Sequence, residues 1–446
     1  MAAPALDTNV SRTGLAMPHA AMLAGRGWHG RVGGGIVHAV KSRGSRRQPR
    51  STRQVATELS PLLVTDPSAL RQVLDELSQA GRFAFDTEFV MEDSYASEVC
   101  LIQAATESRV VLIDPLGGLD DTGFWNLVAD ERLEKIVHSG MEDLALCVQR
   151  TGQTPRNVFD LQIAGGLVGL DYPLSLMKLV RATCGARLHK SQTLTDWRHR
   201  PLSADQIQYA KDDVAHLPGA YQVIRRKLET LDRWEWVREE LERLEQPETY
   251  RRSEEAQVLR LKGGGTLDGR GLAVARELYQ VREALAKQFN RPARVLLKDY
   301  LIVEIARQQW TTPAQIRGLR GVQVSNTAVQ RLADAVKRGL ASPPEVWPEV
   351  ASPEVDAPEE AALISLATAV VRAYCHEQDI AHQLAATKQD IRALVYSFTR
   401  GAPAERSKLA GGWRGRTVGR LLTAFFSGEK RVGIRRDGEA LRIAIE

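Results

Sequence analysis

Cysteine is scarce in this sequence. Its 446 residues hold four, Cys100, Cys147, Cys184 and Cys375. No two of them stand at C-x-x-C spacing, which excludes a zinc ribbon or a disulfide framework read from spacing. A reducing, cytoplasmic setting is the expectation. Long apolar runs are missing too, and none approaches the roughly 20 residues of a membrane-spanning helix. The start of the chain lacks the continuous apolar stretch, roughly 7–15 residues long, of a secretory signal. Neither a membrane span nor a signal peptide is expected. Acids are nearly absent from the first segment, where Asp7 is the only one before Glu58. That segment is rich in Gly, Arg and Ser ("GRGWHGRVGGG", "KSRGSRRQPRSTRQ"), so residues 1–56 read as a disordered basic arm. Such an arm either holds a polyanion nonspecifically or is an extension without a role. Composition is otherwise ordinary, with 43% hydrophobic residues and a net charge of +5. An isoelectric point near 9.0 permits an acidic partner such as nucleic acid without requiring one. The length is enough for about three domains.

Strand and helix signals alternate from about 57 to 220. "DPSALRQVLDELSQAG" opens with Asp66 as N-cap and Pro67 at the first helical position, and stops at Gly81. "RFAFDTEFV", "EVCLIQAAT" and "RVVLIDP" read as strands. "ERLEKIVHSGMEDLALCVQRTG" reads as strand, turn and helix, with Ser139 and Glu142 spaced as a capping box. Ser203 and Gln206 repeat that spacing before "DQIQYAKDDVAHL". Early antiparallel-looking strands followed by strand–helix units predict a mixed α/β sheet. A charged helix is expected over about 220–247, and "LKGGGTLDGRG" then breaks the chain. Residues 267–341 look wholly helical, residues 343–360 form a Pro- and acid-rich linker, and residues 361–427 are helical again. The tail alternates apolar residues around Asp437-Gly438, a two-residue hairpin signal.

The chemistry rests on acids. Asp86 and Glu88 lie two apart on one strand, so they share a face and repel each other. Phe83, Phe85, Thr87 and Phe89 point the other way, toward packed helices. A hard divalent cation would relieve the repulsion, because such ions take carboxylate oxygens. One strand cannot surround an ion, so further acids must converge on it. Glu142 and Asp143 stand in the first turn of a helix, where acids also suit the helix dipole. Tyr209 and Asp213, four apart, share a helix face, and Asp212 is also near. Spacing does not choose between Asp212 and Asp213. His138 and His216 flank two of these segments and read as structural or exposed rather than catalytic.

"AFDTEFV", "IVHSGMEDLAL" and "YAKDDVAHL", in this order and separation, resemble the three exonuclease motifs of ribonuclease D, a DEDD-type 3′–5′ exonuclease with Tyr in the third motif. "HKSQTLTDWRHRPLS", with Asp196-Trp197 and Arg200-Pro201-Leu202, is similar as well. This resemblance covers about 60–225. "ARELYQVREALAKQFNRPARVLLKDYLIVEIARQQ", with Asn290-Arg291-Pro292 and Leu297-Lys298-Asp299, resembles an HRDC domain. Residues 361–446, with "GGWRGRTVGRLL", resemble a second, more divergent copy. The implied fold is an α/β exonuclease domain, a ribonuclease H-like mixed sheet flanked by helices, over 57–250. Two small all-α HRDC-like domains would follow, over 266–342 and 361–446. Lys298, Arg317, Arg320, Arg414 and Arg416 are candidates for phosphate contact, although a solvated basic face accounts for any single one of them.

The resemblance implies Asp86, Glu88, Asp143 and Asp213 as ligands of two Mg²⁺ or Mn²⁺ ions, which chooses Asp213 over Asp212. It implies that Tyr209 positions the attacking water. Its phenol, with an ordinary pKa near 10, suits orientation better than proton abstraction. The expected activity is 3′–5′ exoribonuclease trimming of RNA 3′ ends, precursor tRNA among them, by two-metal hydrolysis that releases nucleoside 5′-monophosphates. RNA is the expected partner, membranes are not, and a monomer is expected. The competing readings are a DNA-directed 3′–5′ exonuclease and a noncatalytic RNA-binding protein.

Overall fold

The computed structural model describes residues 59–446 apart from 92–93, 189–194, 252, 349–354 and 439. The basic arm over 1–56, the "HKSQTL" stretch over 189–194 and the middle of the 343–360 segment lie outside the described residues. The first helix, α1 (Pro67–Gln79), starts where its sequence places it. The Asp66 carboxylate accepts from the backbone N–H groups of Ser68 and Ala69, each at 3.0 Å. A cap of this kind contributes about 1 kcal/mol. Leu70, Val73 and Leu77 recur at helical spacing and are buried against the sheet domain.

The sheet has six strands: β1 (Leu62–Val64), β2 (Arg82–Val90), β3 (Glu98–Ala105), β4 (Val110–Ile113), β5 (Glu134–Val137) and β6 (Val158–Asp160). Their order is β1-β4-β3-β2-β5-β6. The β1–β4, β2–β5 and β5–β6 pairs are parallel, and β2–β3 and β3–β4 are antiparallel. This is the expected mixed sheet. The acid-bearing strand β2 is interior, so both its edges are paired, to β3 and β5. On one face Phe83 and Phe85 meet Phe124 of α2 (Thr122–Ala129), with ring centroids 5.8 and 5.7 Å apart. Burying each such ring contributes roughly 1.5–3 kcal/mol. Lys135 of β5 is fully buried and donates from Nζ to the carbonyls of Asp130 (2.5 Å) and Leu133 (2.6 Å). Burial lowers its ammonium pKa to about 8.

Five helices complete this part: α3 (Met141–Thr151), α4 (Leu161–Gly166), α5 (Leu176–Cys184), α6 (Ala204–Ala215) and α7 (Leu217–Thr230). A further helix, α8 (Trp234–Leu241), follows after Asp232, whose φ is +53°. The charged helix expected over 220–247 is therefore interrupted, and its second piece turns toward the C-terminal region.

The helices α9 (Gly269–Phe289), α10 (Asp299–Gln308) and α11 (Asn326–Ala341) enclose a separate core that includes Leu278, Ile302, Leu332 and Val336. They cross closely, because a Cβ on Gly339 would meet the Val274 backbone at 2.6 Å. Then α12 (Pro358–Glu377), α13 (Lys388–Thr399) and α14 (Arg420–Phe426) share one continuous core with the sheet domain. The buried Arg233 guanidinium joins the two regions, donating to the carbonyls of Leu167 (2.8 Å), Asp379 (3.0 Å) and Gln378. Trp236 stacks on Trp413, centroids 5.1 Å apart. Glu240 receives the Arg414 guanidinium and Trp413 Nε1 (2.7 Å), and Glu239 receives Arg416. Arg414 is thus largely buried against an α8 carboxylate rather than presented to a phosphate, whereas Arg416 stays exposed in a surface ion pair. Arg317 stays exposed, donating to the Val324 carbonyl (2.8 Å) and Asn326 Oδ1 (2.6 Å). At the C-terminal end, β7 (Val432–Asp437) pairs antiparallel with β8 (Ala440–Ile445), Asp437 opposite Ala440. The turn therefore starts after Asp437, at Gly438 with φ +62°, one residue later than expected.

Candidate active site

Asp86 and Glu88 leave β2 on the face opposite Phe83 and Phe85, across from Gln103 and Leu101 of β3. The register shifts between Glu88 and Phe89, so β2 bends just beyond the acids. Thr87, placed by alternation away from the acids, still reaches the site at the strand's end. Its hydroxyl donates to Asp143 Oδ1.

Asp143 is delivered by the turn from β5 into α3. The expected Ser139–Glu142 capping box does not form: Gly140 is the N-cap, with no side-chain cap bond, and Ser139 has φ +62°. The Asp160 carboxylate, at the end of the neighbouring strand β6, takes this role instead. It accepts from the N–H groups of Ser139 (3.1 Å), Gly140 (3.2 Å) and Gln162 (2.8 Å). Asp160 thereby takes the Ser139 N–H group that the Glu142 side chain of a capping box would have taken. Gly140 is required sterically, since a Cβ there would lie 2.6 Å from the Val137 side chain. His138 pairs through Nε2 with the Leu174 carbonyl at 2.8 Å, and burial lowers its pKa. It is a structural histidine, as expected. His216 is likewise buried, at the end of α6.

The third contribution comes from α6. Its predicted capping box is present: Ser203 N donates to Gln206 Oε1 (2.9 Å) and Gln206 N to Ser203 Oγ (3.2 Å). The preceding loop is fastened by Arg200, whose guanidinium donates to Asp114 Oδ1 (2.8 Å) and to the carbonyls of Cys100 and Trp197 (2.7 Å each). Trp197 then packs against Tyr209, ring centroids 5.8 Å apart. Tyr209 hydrogen-bonds Asp213. Asp213 is 8% exposed, and its Oδ2 is buried without a partner. Asp212 lies outside this group and accepts from Gln208 at 2.7 Å.

The four carboxylates feel one another. Asp86 is raised well above the usual carboxylate range, first by burial and then by the charges of Asp143, Asp213 and Glu88. Glu88 is pushed up to about 8 by burial and by Asp213 and Asp143. Asp213 reaches about 7 through burial and the charge of Asp212, against the lowering effect of the Tyr209 hydrogen bond. Asp143 reaches about 6 through burial, against the lowering effect of Thr87. The Tyr209 phenol is raised by burial and by Asp213, so it stays protonated near neutrality. Among the described residues, no three His, Cys, Asp or Glu side chains are already gathered tightly around one point. The donor set nevertheless fits hard divalent cations: four carboxylates from β2, α3 and α6, mutually repelling, with one oxygen left over.

Residues 61–229 match the family described as 3'-5' exonuclease, and residues 271–331 match the HRDC domain. Fold and site together define a 3′–5′ exonuclease carrying an HRDC domain. Ribonuclease D of Gluconacetobacter diazotrophicus is 32% identical over 381 residues, covering 84% of this chain and 95% of that protein. Ribonuclease D of Zymomonas mobilis is 31% identical over 391 residues, covering 85% and 98%. The chain belongs to the ribonuclease D family of 3′–5′ exoribonucleases, and that membership implies dependence on divalent metal. Two solved structures share the fold. Escherichia coli RNase D has a TM-score of 0.69 at 22% identity, over 83% of this chain and 99% of that one. A protein from Bifidobacterium adolescentis has a TM-score of 0.58 at 23% identity, over 83% and 100%.

Proposed function

We propose that the chain trims the 3′ ends of structured RNA, precursor tRNA among them, at a two-cation centre built on Asp86, Glu88, Asp143 and Asp213. The observation that carries this is the gathering of four mutually repelling carboxylates from three separate elements, Asp143 and Asp213 buried and Asp86 and Glu88 half-buried, with Asp213 Oδ2 unpartnered. Packing alone would not favour that arrangement. A bound cation pair would activate a water and neutralise charge at the scissile phosphate. Asp86, Glu88, Asp143 and Asp213 would hold the pair through their carboxylate oxygens. Tyr209, protonated and braced by Trp197, would orient the attacking water by hydrogen bonding. The products would be nucleoside 5′-monophosphates. The RNA assignment follows the family, and the Escherichia coli relative is described as an exoribonuclease involved in structured RNA processing.

The test uses 5′-labelled RNA and DNA of matched sequence, with Mg²⁺ or with EDTA, beside an Asp213→Ala variant. A one-nucleotide ladder on RNA alone, lost in EDTA and in the variant, is expected. A ladder on DNA alone would establish the DNA-directed reading. Tight RNA binding without cleavage would establish a noncatalytic role.

A further inference from the structure

Strand β3 is buried along 99–105, and Gln103 is the one amide in that run. It is 0% exposed, and neither Nε2 nor Oε1 has a hydrogen-bond partner among the described residues. Folding alone disfavours this, because a buried polar group left unmade costs about 1–3 kcal/mol. An apolar residue would suit the position better, as Leu101 and Leu112 do beside it.

The register says what the amide faces. Gln103 stands directly opposite Asp86 across the antiparallel β2–β3 pair. Directly opposed residues send their side chains to one face, with Cβ atoms about 5 Å apart. On its other side Gln103 opposes Leu112 of β4. Helix α6 covers this face, with Ala210 packed in the same cluster as Leu101 and Leu112. Asp213 lies one turn further along α6, and its Oδ2 is the other orphaned oxygen of this layer. The amide therefore lies beneath the acid cluster, beside Asp86 but not hydrogen-bonded to it in this structure.

We infer that Gln103 is a positioning residue for Asp86: when cations bind, a side-chain rotation brings its unpartnered Nε2–H group onto one Asp86 carboxylate oxygen, fixing the orientation in which the other oxygen is free to bind them. This rests on the reading of Asp86 as a cation ligand. The residue type fits the task. Carboxylates that ligate metals are themselves held by hydrogen bonds. A neutral amide does so without adding a charge, whereas Lys or Arg in its place would compete with the cations for the carboxylate. Gln103 Oε1 remains available to accept from water that a hard cation retains.

Gln103→Met removes the amide at nearly constant volume, and Gln103→Leu is a second apolar variant in case the first does not fold. Folding is checked by circular dichroism. Free Mn²⁺ is then titrated by electron paramagnetic resonance against wild type and variants, all full length and without RNA. The expected result is a Mn²⁺ dissociation constant 10–100-fold weaker in the variants, with metal-free thermal stability equal to or above wild type. Saturating Mn²⁺ should return kcat toward wild type with KM for RNA unchanged. Unaltered Mn²⁺ affinity in a folded variant would overturn the inference while leaving the ligand assignment standing. A wild-type protein that binds no Mn²⁺ would overturn both.

Discussion

Replacing Asp143 by Asn should stabilise the metal-free protein at pH 8, although it removes a hydrogen-bonded, buried acid. Asp143 moves from 3.8 to about 6 in the folded chain, chiefly through burial. A carboxyl raised in this way favours folding while it is protonated. That contribution is complete below about 3.8 and is lost as pH climbs through about 6. At about 1.36 kcal/mol per pH unit, the ionised form at pH 8 forgoes about 3 kcal/mol. Asn keeps the acceptor for the Thr87 hydroxyl and drops the charge that disturbs Asp86. Thermal unfolding in EDTA at pH 8 should therefore show Asp143→Asn above wild type by up to about 3 kcal/mol, several degrees for a domain of this size. Near pH 3.5 the gap should close, because both side chains are then neutral. Millimolar Mg²⁺ should close most of the gap, since a ligand at 100 times its dissociation constant adds about 2.7 kcal/mol to the form that binds it. A variant less stable than wild type at pH 8 in EDTA, or stabilised equally by Mg²⁺, would refute the reasoning.

Two other perturbations follow from the packing. Lys135 titrates near 8 rather than 10.5 because it is buried, so the unfolded chain binds the extra proton between those values. Wild type should gain about 3 kcal/mol relative to Lys135→Met between pH 8 and 10.5; urea titrations at the two pH values that show no relative change would contradict this. Glu240→Ala strands the Arg414 guanidinium, whose side chain is 14% exposed, and frees Trp413 Nε1. The loss should be about 3–5 kcal/mol, read as a lower urea midpoint, and a loss under about 1 kcal/mol would show that the α8 contact is not a seam of the fold.

Much of this molecule is legible in its sequence where the cause is local. Asp66-Pro67 starts α1, and Ser203 with Gln206 starts α6, because caps are made by neighbours in the chain. Period-two alternation separates Phe83 and Phe85 from Asp86 and Glu88 for the same reason. The misreadings are nonlocal. Ser139 has the spacing of a cap, but Asp160, from the adjacent strand, takes the N–H groups. Arg414 looks like one residue of a solvated basic face until Glu240, more than 170 positions earlier, largely buries it. Thr87 reaches Asp143 only because the strand end and the helix start come together. Gln103 carried a signal that went unread, a lone amide within an otherwise apolar strand; what it faces depends on the register of β2 against β3, which no local pattern specifies.

The account stands or falls on cations among these carboxylates. The most direct measurement is Mn²⁺ anomalous scattering from crystals of the full-length wild-type chain, with Asp86→Ala as control. Two Mn²⁺ peaks about 3.5–4 Å apart, held among Asp86, Glu88, Asp143 and Asp213, are predicted, and both should vanish in the variant. Saturated crystals with no Mn²⁺ within coordination distance of Asp86 and Asp213, from protein that degrades RNA in the same solution, would contradict it.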